Sequence, residues 1–296
     1  MRQEDVRGGN TGEMLEALAG WEPLRAASFI VTVYGDVVEP RGGVLWMGTL
    51  IEICGDVGLS ETLVRTAVSR LVAAGQLSGE RIGRRSYYRL TSAARREFAA
   101  AARLLFEPEA APGALAFVMP RDAEAVVRLQ AAGFVTVGRG LMVGPDRDVG
   151  GACSMRLRAF PNEGEAALRA FAAQTWELER HRAAYESFLG RFAPLEEAIR
   201  SFNGRERLVA RLLMVHAYRA AVLRDPHLPS ACLPADWPGR SAGTLFARLY
   251  LKLSEAAESH VGAAFSGAGG PLSVQTAASR GRLAALEASL RASSGA

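Results

Sequence analysis

Lysine is almost missing. Lys252 is the only one among 35 basic residues, so nearly all positive charge is arginine. That bias is a matter of composition and assigns no function. Cysteine is scarce as well. Cys54, Cys153 and Cys232 are far apart, odd in number and form no C-x-x-C, which excludes a disulfide framework and fits a reducing cytoplasm. The four histidines, His181, His216, His227 and His260, make no H-E-x-x-H pair and have no cysteine close by, so no metal site is expected. No run of 18 apolar residues occurs, and nothing is expected to span a membrane. The first twenty residues carry early acids and no long apolar stretch, which argues against a secretory signal.

What is present is a chain of 296 residues, 49% apolar, long enough for two or three domains with real cores. Its formal net charge is only +4. An excess that small does not imply a nucleic-acid partner; a local cluster would.

Period and punctuation divide the chain into four parts. Residues 1–22 contain Gly8, Gly9 and Gly12 and read as a flexible arm, with a short helix at its end left open. Residues 23–107 begin with Pro23, which favours a first helical turn over a strand. There, 44–57 reads as a helix and 60–75 as a second, with Ser60 at its N-cap and Gly75 just past its end. Residues 77–91 switch to two short strands about a glycine turn, and 92–106 return to helix. "EPEAAPG" (107–113) reads as a linker. Residues 113–160 read strand, helix, strand, strand, glycine-rich loop, strand, a small α/β domain of the split-βαβ, ferredoxin-like kind. Residues 161–292 are almost wholly helical, over 163–193, 205–224, 241–264 and 280–292, and "ASSGA" at the end reads as frayed. The expected class is α+β, mostly helical.

One segment breaks the balance of charge. Between Thr62 and Arg96 the only acid is Glu80, against eight arginines. On a helical wheel of 60–75, Val64, Ala67, Val68, Leu71 and Val72 fall on one side. Thr62, Arg65, Thr66, Ser69 and Arg70 fall on the other. A merely solvated face mixes signs, whereas this one offers donors and positive charge. Arginine grips phosphate or reads guanine; serine and threonine contact phosphate or bases. Two helices followed by a basic hairpin is the order of a winged helix-turn-helix. The second helix would enter the groove, and Arg81, Arg84 and Arg85 at the hairpin would reach phosphates or the minor groove. RNA modules show an aromatic sheet face or a GXXG loop instead, and of the neighbours Tyr87 and Tyr88 only one can face outward. Duplex DNA is the expected partner, bound as a homodimer, because one recognition helix reads only a few base pairs.

Enzyme-like motifs fail on context. "GRSAG" (239–243) fits a nucleophile elbow, but "LPADWPG" precedes it where a buried strand is required, and Ser241 reads as a helix N-cap. "GRGLMVG" (138–144) lacks the helix that must follow a dinucleotide loop; a hairpin turn at Gly138–Gly140 explains it. No enzyme and no cofactor are expected. The alternatives left open are an enzyme acting on nucleic acid or acyl-CoA, with the basic segment only holding substrate, and a non-catalytic adaptor.

The stretches "PLRAASFIVTVYGDVVEPRGGVLWMGTLIEI" and "GLSETLVRTAVSRLVAAGQLSGERIGRRSYYRLT" resemble the N-terminal domain of the PaaX family, bacterial repressors of phenylacetate degradation. The Y-G-D end of the first helix, the P-x-G-G turn, the "LVRTAVSRL" helix and the "GRRSYYRL" wing all stand here. "AYRAAVLRDPHLPSACLPADWPGRSAGTLFARLYLKL" is similar to the family's C-terminal pattern, so the resemblance covers most of 23–260. It implies a Cas2-like middle domain and a transcriptional repressor released from its operator by an aryl-CoA thioester, typically phenylacetyl-CoA. Arginines beside aromatics suit a ligand with a ring and phosphates, which puts the expected effector site near His216, Tyr218, Arg219, Trp237 and Arg240.

Overall fold

Helix α1 (Glu4–Gly20) opens the computed structural model, which describes residues 4–107, 112–159 and 165–294. α2 (Ala26–Val33) widens into a π-helical turn at Tyr34–Val38 and closes with a 3-10 turn at Glu39–Arg41. Next come β1 (Val44–Trp46), α3 (Met47–Gly55), α4 (Glu61–Ala73), β2 (Leu77–Ile82), β3 (Arg85–Leu90) and α5 (Ser92–Phe106). β4 (Leu115–Pro120), α6 (Ala123–Ala131), β5 (Val135–Gly138), β6 (Leu141–Pro145) and β7 (Cys153–Ala159) follow. The remainder is helical: α7 (Glu165–Thr175), α8 (Leu178–Phe192), α9 (Leu195–Ala198), α10 (Gly204–Val222), α11 (Gly239–Ala264) and α12 (Ala277–Ser294), with a hairpin of β8 (Ser266–Gly267) and β9 (Gly270–Pro271) before the last. The class is α+β, mostly helical, with antiparallel sheets.

The chain divides into two units. One comprises residues 1–108, 188–220 and 241–296. Its sheet has the order β1-β3-β2, with Trp46 opposite Tyr87 and Glu80 opposite Tyr87 on the other side. Phe29, Ile30 and Val33 of α2, Val64 and Val68 of α4, and Leu212, Leu213 and Leu253 further along are all buried in it.

This unit also buries charge. The Arg211 guanidinium, with no exposure, lies 3.0 Å from the Asp36 carboxylate and 2.8 Å from Glu258. Glu258 also accepts from Arg41, and the Tyr250 hydroxyl donates to Asp36 at 2.7 Å. Arg41 donates further to the carbonyls of Val37 and Ser273. Burial works against the Arg211 charge, but Asp36, Tyr250 and Glu258 outweigh it and hold its pKa above the ordinary arginine value. A buried ion is tolerated only when paired and hydrogen-bonded, and each member here supplies that for another.

The second unit comprises residues 109–187 and 221–240. Its sheet has the order β5-β6-β4-β7, every neighbour antiparallel, with α6 making the one helical crossover. Alternation sends Ala116 and Val118 to one face, where they meet Ala125, Leu129 and Phe134. Leu115 and Val143 go to the other, against Ala172, Trp176 and Leu228. The Trp176 indole N–H donates to the Gly133 carbonyl at 2.9 Å, and the Tyr185 hydroxyl to Asp225 at 2.6 Å.

Several expectations shift. Residues 4–20 form a helix, where a flexible arm with at most a short helix at its end was read. Three glycines lower its propensity, but buried Leu18, whose carbonyl accepts from Arg191, and Thr11, bonded to Glu206 at 2.9 Å, tie it down. Residues 44–46 are a strand and not the start of a helix, because Val-Leu-Trp pairs with Tyr87–Arg89. Ser241 lies two residues inside α11, which begins at Gly239, so it is no N-cap. The helices after residue 161 divide between the two units instead of forming one body. Residues 108–111 of the expected linker lie outside the described residues. So do 295–296 of the expected frayed tail, and helix α12 persists to Ser294.

Candidate nucleic-acid interface

α4 starts directly after Ser60, which is extended and caps it: its hydroxyl accepts from the Leu63 amide at 3.4 Å. From there Val64, Ala67, Val68 and Leu71 turn inward and are buried. Thr62, Arg65, Thr66, Ser69 and Arg70 are all exposed. Val72 departs from the wheel, being 39% exposed and not part of the core stripe. Eight residues past Val64 the accumulated angle has carried it off the buried side. Gly75, at φ +68°, turns the chain from the helix into β2, a backbone state that a side chain would resist.

The β2–β3 hairpin continues the basic surface. Arg81, Arg84 and Arg85 are exposed around the turn at Gly83, φ +60°. Arg81 donates to the Gly83 carbonyl at 3.3 Å, which braces the turn. Arg85 lies over the Trp46 ring at 4.6 Å, so β1 holds it by a cation–π contact. Tyr87 points into the core and Tyr88 is half-buried against Gly79, where a β-carbon would come within 2.8 Å of its ring. The Tyr34 hydroxyl donates to the Tyr88 carbonyl, anchoring β3 to the π-helical turn.

Acids temper this surface at two points. Glu61 holds Arg65 at 2.6 Å and Glu80 holds Arg89 at 2.6 Å, all four side chains being largely exposed. Arg70 and Arg84 meet no acid among the described residues.

The residues expected around an effector fall into both units. In the first, the Thr32 hydroxyl sits 2.9 Å from His216 Nδ1. Burial, then Arg219 and Arg191, push the His216 pKa down to about 4, so the ring is neutral at pH 7. Tyr218 stacks on Phe246 with ring centroids 4.2 Å apart and is buried. Arg219 donates to the carbonyl and hydroxyl of Ser28, has no carboxylate partner among the described residues, and keeps a buried Nε without a hydrogen bond. It borders a mostly apolar cleft of about 50 Å³ with Val31, Phe98, Leu105, Phe106 and Val215, where Thr32 and Asp36 also reach the wall. In the second unit, Trp237 is half-buried, 6.2 Å from the Tyr185 ring and 5.7 Å from the Arg182 guanidinium. Arg240 is exposed. A wider cavity in the first unit, about 280 Å³, is lined by Thr49, Glu52, Asp56, Arg205 and His260. Arg205 forks onto Asp56 there at 2.8 and 2.5 Å.

Family profiles described as PaaX-like protein and PaaX-like protein C-terminal domain match residues 25–94 and 176–263. The transcriptional repressor PaaX of Escherichia coli K12 is 31% identical over 260 residues, 79% of this chain and 82% of its own. The chain belongs to the PaaX family. The uncharacterized protein Rv0674 of Mycobacterium tuberculosis is 23% identical over 72% of this chain and 89% of its own, with a TM-score of 0.44, a likeness too loose to carry an argument.

In this PaaX-family chain the first matched segment holds all eight residues expected to touch DNA, and the second holds all five expected around the effector. Sequence reasoning passed over Glu61, Leu63 and Trp46. Glu61 was readable, being four residues before Arg65 on one helix face. The other two depend on the packing of α4 and on β1, which no period reveals.

Proposed function

We propose that the protein is a sequence-specific, duplex-DNA-binding transcriptional repressor of a phenylacetate-type catabolic operon, released from its operator by an aryl-CoA thioester such as phenylacetyl-CoA. One observation carries the reading: the outward side of α4 and the β2–β3 tip present arginine, threonine and serine without an opposing core role. The curated E. coli relative is named a transcriptional repressor, which supports a regulator over an enzyme.

On this reading α3, α4 and the hairpin act as a winged helix-turn-helix. α4 lies in the major groove with Arg65, Thr66, Ser69 and Arg70 at bases or adjacent phosphates. Arg81, Arg84 and Arg85 hold the flanking backbone. Two copies pair so that two such helices read two half-sites. The strand order and single crossover of the second unit support a ferredoxin-like module. A repressor of this kind works in the cytoplasm, where its operator lies.

Release needs an effector that binds the two states unequally. The cleft beside Arg219 supports a place for the aryl group. It is mostly apolar, and its walls are α2, the π-helical turn, α5 and α10, with Asp36, already paired to Arg211, among its lining. At about 50 Å³ it is smaller than the ~150 Å³ that holds a benzene ring. Seating a ring therefore requires α5 to move away from α2, the helix packed behind α4. His216 and Arg219 border that movement, and the Arg219 guanidinium, with no carboxylate partner among the described residues, offers a contact for a phosphate. The wider cavity suits a polyanion poorly, because Glu52 and Asp56 line it.

The test is fluorescence anisotropy with duplex from the promoter region of the protein's own gene, then titration with phenylacetyl-CoA, other aryl-CoAs and free CoA. Saturable binding reversed by an aryl-CoA and not by free CoA is expected. Failure to bind any duplex refutes the repressor reading; binding that no aryl-CoA reverses refutes the effector.

A further inference from the structure

Leu63 is the anomaly of the basic face. It is 54% exposed, the largest exposure of any large apolar residue on α4. Single exposed leucines are ordinary on protein surfaces, but this one sits at a particular place. It is the third residue of the helix, and its amide is the one that Ser60 caps, so its backbone is pinned. Its neighbours toward solvent are Thr62 and Thr66. Arg70, seven residues on, lies on nearly the same line of the helix surface. The buried stripe of Val64, Ala67, Val68 and Leu71 is complete without it.

The first turn of a recognition helix is the part that reaches base edges. The major groove offers one apolar group to such a residue, the thymine C5-methyl, which apolar side chains contact. Neither phosphate nor any donor or acceptor on a base gives leucine a partner. We propose that Leu63 is a specificity-determining residue that packs on a thymine methyl, next to the base pair addressed by Thr66 or Arg70. The inference rests on the reading of α4 as the DNA-reading helix and deepens it. α4 then combines one apolar contact, which selects thymine over cytosine and uracil, with charged contacts that position the helix.

The experiment uses the full-length protein and a duplex it selects from a randomised pool. Each thymine is replaced in turn by uracil, which removes only the methyl group. At one or two positions wild type should lose affinity by roughly fourfold, the value of one buried methyl-sized group. Leu63→Ala should bind thymine and uracil versions equally at those positions and keep the wild-type salt dependence. Leu63→Met should retain the preference. Leu63 is exposed, so both variants should melt as wild type does. A wild type indifferent to every thymine methyl, or a Leu63→Ala variant with the full methyl preference, overturns the proposal and leaves DNA binding standing. Failure to select any duplex overturns both.

Discussion

Glu61 reaches forward one helical turn to Arg65, carboxylate to guanidinium at 2.6 Å, on the most exposed side of α4. The pair places a negative charge on the surface proposed to meet phosphate and occupies one of the arginines proposed to read bases. Glu61 also stands at the positive end of the helix, where an acid stabilises. Its two roles pull in opposite directions. Glu61→Gln should lower stability by about 0.5–1 kcal/mol, from the lost helix-end and ion-pair contributions. It should at the same time tighten DNA binding at low salt, with the gain fading at high salt. Urea titration and anisotropy on the same preparation check both signs. Weaker binding in the variant would mean that Glu61 itself contacts the operator.

The helix and the hairpin should fail differently. Arg65→Ala and Arg70→Ala should each cost about 1–3 kcal/mol on the selected site and relax preference at one position. Joint replacement of Arg81, Arg84 and Arg85 by alanine should weaken all duplexes alike and flatten the dependence of binding on salt. A triple variant with the wild-type slope removes the hairpin from the interface. Two single variants that bind as wild type remove α4.

Asp36→Asn should destabilise the protein by about 3–5 kcal/mol, because Arg211 keeps its charge in a fully buried site. Replacing Arg211 by methionine as well should cost less than the two single changes added together, since neither partner then strands the other. Chemical denaturation of the three variants decides. Strict additivity would show that the two side chains do not act as a pair.

Stability should fall with acid through His216. In the folded chain its pKa is pushed down to about 4 by burial and then by Arg219 and Arg191. Unfolded, it is an ordinary imidazole near 6.5. Between those values the unfolded chain binds a proton that the folded chain refuses. Stability is complete above about pH 6.5 and declines as pH drops toward 4, by roughly 3 kcal/mol from this group. Denaturation midpoints at pH 7, 6, 5 and 4 should converge between wild type and His216→Asn as pH falls. Parallel curves would remove His216 from the pH response.

The parts legible in the sequence are those whose cause is local. Ser60, the buried stripe and Gly75 mark α4 to within two residues. The strand, helix, strand, strand, strand order of 115–159 follows from a change of period at each boundary. The parts not legible have distant causes. β1 exists because β3 lies beside it. α1 holds despite Gly8, Gly9 and Gly12 because Arg191 and Glu206 reach back to it. Among the residues expected to touch DNA, exposure was readable from the helical wheel, but the engagement of Arg85 by Trp46 was not. Around the effector, Arg219 could be named as a basic residue near aromatics. That Tyr218 would be spent on Phe246 depends on how α10 packs against α11.

Arg41 and Glu258 meet although 217 positions separate them. That has a consequence for heredity. A recombination event anywhere between codons 41 and 211 gives the offspring Asp36 and Arg41 from one parent and Arg211 and Glu258 from the other. Where the parents differ in charge at one of the four, the hybrid encloses a charge with no counter-ion, at a cost of about 3–5 kcal/mol. Exchange of the DNA-reading segment is therefore open only between chains whose four buried residues match in charge.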